Sequence, residues 1–341
     1  MTVPWHTRHN KVDVVYLWVD GTDQVWQAKR QRAYASWSQH HPDQLAIYGN
    51  NAGRYRDNGE LRFNLRSLEK FFPNHGHIYI VTDGQTPSWL RPCEGLTLID
   101  HLDLLPQPSV GVFDSGHIET YLHHIPGLSE KFFYLNDDVF FGTKVDVDWW
   151  FGSQLRVFAE ATAVTQTSVT EKGTALVNAS IQSRNWLKQQ YPNYQHDPRV
   201  YTHAPRPMLR SAMLELETLA PQMFKQVRTT TFRSWKVPPI VPDLFPRWMV
   251  HVGYAQQRTL NPLHISTGTH QAEMQFAQLM DKFGHIPFFC INDTSDNAPD
   301  DDIQLLRITD TLENLLPSPS SFEWADEGVY ANRYRPHGIN T

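Results

Sequence analysis

Short apolar runs separated by helical spacings constrain this chain most. Val12 to Val19 (VDVVYLWV) is nearly continuous in apolar residues and ends at Asp20-Gly21. Ile78 to Val81, Leu96 to Ile99, Phe132 to Leu135, Val139 to Phe141 and Pro287 to Ile291 repeat the pattern at three to five residues each. Runs of this length without polar alternation read as strands buried on both faces, the kind found in parallel sheets. Between them, Leu61, Leu65 and Leu68 recur at helical spacing until Pro73. Asp114-Ser115 is placed to cap a helix carrying Ile118, Leu122 and Ile125. Trp26 to Tyr48 reads as a helix followed by a surface excursion. Strands alternating with helices predict an α/β sheet with ligands at the carboxyl ends of its strands.

The second half is less regular. Pro207 to Ala220, Arg247 to Gln257 and Gln271 to Phe283 have helical spacing, and Asp293 to Asp302 reads as a solvated loop before a helix ending at Leu316. A mostly helical second half is therefore expected.

Composition excludes several classes. With 30 Lys+Arg against 36 Asp+Glu and no long basic run, nucleic acid is not the expected partner. Only two cysteines, Cys93 and Cys290, argue against a disulfide scaffold or a cysteine-built zinc site. No HExxH, GxGxxG, P-loop or GxSxG pattern occurs, and neither His40-His41 nor His123-His124 has a convincing metal spacing. Met1 to Lys11 is polar, and no run of about 18 apolar residues exists. The expectation is a soluble, cytoplasmic chain, in which the glycosylation patterns at Asn178 and Asn292 arise by chance.

Asn136-Asp137-Asp138 is the most telling local feature. Two adjacent carboxylates beside buried strands need compensation, and a divalent cation carrying phosphates supplies it. A polar turn whose aspartates bond backbone amides accounts for them equally well. Glu119 shares a helical spacing with His123 and could point to the same sheet end; a solvated helix side is the plainer reading. His203-Ala204-Pro205-Arg206-Pro207 holds an imidazole in a stiff segment. Arg228 and Arg233 are candidate diphosphate ligands or surface arginines. Asp13, Asp20 and Asp23 surround the first strand, where an Asp often only caps a turn.

Asp13 to Gly21 (DVVYLWVDG) resembles the first block of the Stealth family of hexose-1-phosphate transferases. The second block is matched by Arg56-Asp57-Asn58-Gly59-Glu60-Leu61-Arg62, Leu65-Arg66-Ser67-Leu68-Glu69, Ile78 to Gly84, Pro87-Ser88-Trp89-Leu90, Ile118-Glu119, His124 to Ser129 and Tyr134 to Val139. His203-Ala204-Pro205 resembles the third block. Phe232-Arg233-Ser234 and Pro317 to Glu323 resemble later ones. One departure is that Trp235, Lys236 and Val237 follow Ser234, where the family usually places an acidic residue.

The resemblance implies a nucleotide-sugar-transferase-like (GT-A/Rossmann-like) sheet, and one catalytic domain over 12–323 between polar tails 1–11 and 324–341. Within it, 12–150 would bind the nucleotide sugar and 151–323 the acceptor and phosphate. It implies catalytic roles for Glu119, Asp138, His203 and Arg233, a Mg²⁺ or Mn²⁺ ion at Asp137 and Asp138, and donor-site roles for Asp20, Asp57, Asn58, Arg62, Arg66 and Asn136. The implied reaction moves a sugar 1-phosphate from a UDP-sugar to a polysaccharide hydroxyl with release of UMP, beside peripheral capsule-assembly proteins at the bacterial inner membrane face. The alternatives are a metal-dependent glycosyltransferase releasing UDP, and an inactive binding component of an assembly complex.

Overall fold

A computed structural model describes residues 11–106, 111–296, 298 and 302–324. The chain begins with β1 (Asp13–Leu17), α1 (Gln24–His40), α2 (Glu60–Phe71), β2 (Ile78–Thr82), β3 (Leu96–Asp100), α3 (His101–Leu104) and α4 (Ser115–Glu119). It continues through β4 (Lys131–Asn136), β5 (Val139–Phe141), α5 (Val147–Phe151), β6 (Leu155–Ala163), α6 (Ala175–Gln190), β7 (Arg199–Tyr201) and β8 (Arg206–Leu209). The remaining elements are α7 (Arg210–Leu219), α8 (Pro221–Val227), α9 (Leu244–Val252), β9 (Ala255–Thr259), β10 (Leu263–Ser266), α10 (Ala272–Lys282), β11 (Phe288–Asn292) and α11 (Ile303–Leu315).

The α/β class expected from the sequence is the one observed. The main sheet has the order β3-β2-β1-β4-β8, with the first four strands parallel and β8 antiparallel. In register, Leu17 of β1 lies between Val81 of β2 and Asn136 of β4. Trp18, Asp83 and Asp137 therefore leave the sheet along one edge. The two other sheets are β10-β11-β5 and β7-β6-β9.

The expected division at residue 150 does not separate the sheets, because β8 closes the first sheet and β5 pairs with β11. Among the described residues, the second half carries six strands beside its six helices, and so is less helical than expected. Residues 255–257, expected to continue a helix, belong to β9. Gly253, with φ of 88°, ends α9 in the left-handed conformation that suits glycine, and Ala255–Thr259 then pairs in parallel with Leu155–Ala159. In α6 the buried side includes Ala179, Ser180 and Ser183, small residues too weakly apolar to mark the helix in the sequence.

Leu61, Leu65 and Leu68 of α2 are fully buried against the sheet. Phe133 at the sheet centre packs edge-to-face on Phe72, Phe141, Trp150 and Phe151. A second core lies under α10 and α11, where Phe140 and Phe289 stack with centroids 4.9 Å apart. Among the described residues no helix is long and apolar enough to cross a membrane.

Candidate active site

The turn Asn136-Asp137-Asp138 joins β4 to β5 and is held from below by α2. Asn64, wholly buried, donates from Nδ2 to the carbonyls of Asp137 (3.0 Å) and Val139 (2.6 Å), and accepts from the Tyr16 hydroxyl at 3.0 Å. Ser67, one turn on, donates to the Phe141 carbonyl at 2.7 Å. The buried face of α2 is thus both apolar packing and the clamp for an acidic turn.

Asp138 faces the second half of the chain. Its Oδ1 is 3.1 Å from His203 Nε2, and its Oδ2 accepts from Cys290 Sγ at 3.4 Å. Burial alone would raise the Asp138 pKa. The charge and hydrogen bond of His203, with the Cys290 hydrogen bond, outweigh it and hold the carboxyl below its ordinary range. The His264 ring lies 6.2 Å from that of His203, and its Nε2 is buried without a partner.

On the other side of the turn negative charge accumulates. Burial first, then Asp138, Glu60 and Asp57, push Asp137 well above the carboxylate range. Glu60 rises to about 8, by burial and then by Asp57, although it accepts from Asn58 N and Nδ2 at 2.6 and 2.7 Å. Asp57, raised by burial, accepts from Trp18 Nε1 at 3.2 Å. The adjacent Asp137 and Asp138 carboxylates, with this negative charge behind them, fit a hard divalent cation such as Mg²⁺ or Mn²⁺, which would offset the repulsion.

Glu119 is not on a solvated helix side. The helix stops at this residue and a 3-10 turn over Leu122–His124 follows, so the expected common face with His123 never forms. His123 turns away to Glu217 at 2.6 Å. Glu119 is buried and accepts from the Tyr134 hydroxyl at 2.8 Å, while its Oε2 has no partner. Burial raises its pKa against the opposing pull of Arg206 and Arg233. Arg233 donates from Nη2 to Ser115 Oγ at 2.7 Å and keeps Nε 3.6 Å from Asp114, whose carboxylate also caps α4. Asp114 stands near the guanidinium where the sequence after Ser234 offers no acid.

These groups line one cleft of about 260 Å³, which takes in Glu119, Asn136, Asp137, Asp138, His203 and Arg233. Arg54, Arg56, Glu60, Arg206, His264 and Asp293 also line it, and the sequence did not mark them as site residues; Arg54, Arg206 and His264 bear most on the chemistry. Arg54 is the most telling of the three, because its Nε is buried without a partner and burial, then Arg233, press its pKa down. Its only signal in the sequence was nearness to Arg56-Asp57. A smaller cavity of about 110 Å³ adjoins at Arg54, Ser115, Asn136 and Asp137 and is walled by Trp18, Trp26, Phe113 and His101. Trp26 Nε1 is likewise buried without a hydrogen-bond partner there, and His101 Nδ1 lies 3.6 Å from the Asp83 carboxylate.

The structure does not bring every expected residue to the cleft. Arg66 donates to Glu323 at 2.7 and 2.6 Å and to the Leu316 carbonyl at 2.9 Å, and Arg62 donates to Glu323 at 2.5 Å. Both tie α2 to the segment after α11 and line neither cavity, because their side of the helix faces that segment. Asp20 accepts from Thr22 N and Oγ1 at 2.8 and 2.6 Å, closing the turn after β1. Asn58 serves Glu60. Asp57 stays behind the acidic turn, where it acts on Glu60 and Asp137 by charge. Arg228 pairs with Glu217 and covers the Tyr121 ring at 4.0 Å, outside the cleft lining.

Three regions of one family match this sequence: Stealth protein conserved region 1 at residues 10–35, conserved region 2 at 54–157 and conserved region 4 at 285–336. The chain belongs to the Stealth family. Conserved region 2 takes in Glu119 and the Asn136-Asp137-Asp138 turn. An exopolysaccharide phosphotransferase of Streptomyces coelicolor is 32% identical over 316 residues, covering 92% of this chain and 33% of its own length. A capsular polysaccharide phosphotransferase of Actinobacillus pleuropneumoniae is 34% identical over 213 residues, covering 61% of this chain and 57% of its own. This Stealth chain thus spans from a third to somewhat over half of those relatives. Among solved structures, the galactosyltransferase LgtC with donor and acceptor sugar analogues aligns at a TM-score of 0.38 and 11% identity, covering 91% of this chain and 98% of its own.

Proposed function

We propose that this chain is a sugar-phosphate transferase, moving a hexose-1-phosphate or N-acetylhexosamine-1-phosphate from a UDP-sugar to a sugar hydroxyl. The product is a phosphodiester in a capsular or exopolysaccharide, and the leaving group is UMP. The observation that carries this reading is the meeting of Glu119, Asp138, His203, Arg54, Arg206 and Arg233 in one cleft. Phosphoryl transfer needs positioning and charge neutralisation more than covalent help from the protein, and these residues offer both. The names of the similar phosphotransferases support the same class.

The adjoining aromatic cavity suits the donor nucleoside, since planar walls stack a base while Trp26 Nε1 awaits a polar partner. Arg54, shared by both cavities, then meets the diphosphate, and Arg233 and Arg206 hold oxygens of the transferred group. His203, oriented by Asp138, takes the proton of the acceptor hydroxyl as it attacks phosphorus. The bond between that phosphorus and the leaving UMP oxygen breaks, so the sugar C1–O bond stays intact and its configuration is kept. Glu119, fixed by Tyr134, borders the acceptor side. A Mg²⁺ or Mn²⁺ ion held by Asp137 and Asp138 would offset charge on the donor phosphates.

Identification of the released nucleotide tests the reading. UMP from a UDP-sugar, lost with EDTA or in Asp138→Ala, supports it. UDP instead establishes glycosyl transfer in the same cleft, and failure to bind any donor or metal leaves a binding component.

A further inference from the structure

Cys290 has no part in the chemistry above, yet its buried thiol sits behind the cleft on the catalytic carboxylate. It comes from the middle of β11, opposite Val139 in the antiparallel pairing, so two elements of different halves deliver it to Asp138. The Asp138 carboxylate straddles a gap, with His203 Nε2 at 3.1 Å from one oxygen and Cys290 Sγ at 3.4 Å from the other. The ligating atoms of all three residues lie within 4.8 Å of one another. Bonds of 2.0–2.3 Å in a tetrahedron set nitrogen, sulfur and oxygen ligands about 3.3–3.8 Å apart, close to the 3.1 and 3.4 Å that separate His203 and Cys290 from the two Asp138 oxygens. His264, its Nε2 buried and unpartnered, stands next to His203 on the same wall.

We propose that Asp138, His203 and Cys290 form a binding site for a thiophilic divalent cation of the zinc class, with solvent completing its shell. This site shares Asp138 with the Mg²⁺ or Mn²⁺ position proposed at Asp137 and Asp138 and differs from it in its nitrogen and sulfur donors. A hard cation prefers carboxylates and phosphate oxygens, whereas imidazole and thiolate select zinc-class ions. As the metal–sulfur bond forms, the thiol releases its proton to solvent. An ion held there engages both His203 and Asp138, so it withdraws the proton acceptor and its orienting carboxylate together. The metal site itself rests on geometry alone; inhibition by the ion rests on the phosphotransfer reading.

Cobalt is the direct probe, because its thiolate complexes absorb in the near ultraviolet whether or not the enzyme turns over. Titration of EDTA-stripped protein with Co²⁺ is expected to give a thiolate charge-transfer band that one equivalent of Zn²⁺ erases and excess Mg²⁺ does not. Cys290→Ser is expected to abolish the band and weaken Zn²⁺ binding by on the order of tenfold or more. Since Cys290 is fully buried, X-ray absorption of the wild-type zinc complex provides a readout that needs no variant, with one sulfur in the coordination shell expected. A Co²⁺ spectrum without the thiolate band, or a zinc shell of oxygen and nitrogen only, overturns the proposal. In a donor-turnover assay, micromolar Zn²⁺ against millimolar Mg²⁺ is expected to inhibit. Absence of turnover would count against the phosphotransfer reading and leave the spectrum unaffected.

Discussion

Glu60 makes the acidic cluster measurable as a stability. Its carboxyl is fully buried at the start of α2, and its folded pKa is about 8 against an ordinary 4.5. The folded chain therefore holds a proton that the unfolded chain has lost between these values. Because the folded pKa is raised, the stabilisation is present at low pH and fades as pH climbs towards and past 8. With 1.36 kcal/mol per pKa unit, the loss between pH 6 and pH 8.5 comes to about 2–3 kcal/mol. Urea denaturation in EDTA at those two pH values, on wild type and Glu60→Gln, is the assay. The wild type should lose about 2 kcal/mol more than the variant over the interval. The comparison uses the pH dependence of each protein, so any fixed cost from a poorer bond to Asn58 cancels. Added Mg²⁺ should flatten the wild-type decline, since a cation favours the ionised form. Parallel profiles for the two proteins would refute the buried-acid reasoning. An unchanged wild-type decline in Mg²⁺ would refute the cation seat.

Three further outcomes follow from the site. His203→Ala should lower kcat by about 10²–10⁴-fold and remove one limb of the pH–rate profile, measured by UMP release. Arg54→Ala should raise the donor KM by about tenfold or more with little loss of Tm, because among the described residues Arg54 makes no salt bridge and the opposing Arg233 charge outweighs that of Asp114. Arg66→Ala should do the reverse, costing about 1.5–3 kcal/mol by removing two charged hydrogen bonds from Glu323, which keeps Arg62, while leaving the donor KM unchanged. A KM shift without destabilisation would return Arg66 to the donor site.

Much of the architecture was legible in the sequence because its signals are local. The run Val12 to Val19 contains β1, the Leu61, Leu65, Leu68 spacing is the buried face of α2, and Asp114 caps α4, although that helix ends at Glu119 short of Leu122 and Ile125. The acidic turn was equally visible, since two carboxylates between apolar strands stand out in any fold. Elements with weak local signals were missed. Strand β9 reads AQQRT and has little apolar character, and α6 buries small residues against Arg247, whose guanidinium donates to Ser180 at 2.9 Å.

The site divides along the same line. Residue types and spacing made Asp137, Asp138, Glu119 and His203 candidates beside plainer readings, and the resemblance to the Stealth family gave them their roles. Their environments came only with tertiary structure. Glu119 is buried because its helix ends there and Tyr134 reaches it from β4. Arg66 is taken from the donor site because Glu323, 257 residues away, claims it. Arg54 meets Arg233 and Cys290 meets Asp138 across comparable stretches of chain. Side-chain periodicity is written along the sequence, but pairing of charges and orphaned donors depends on which distant segments the sheets bring together.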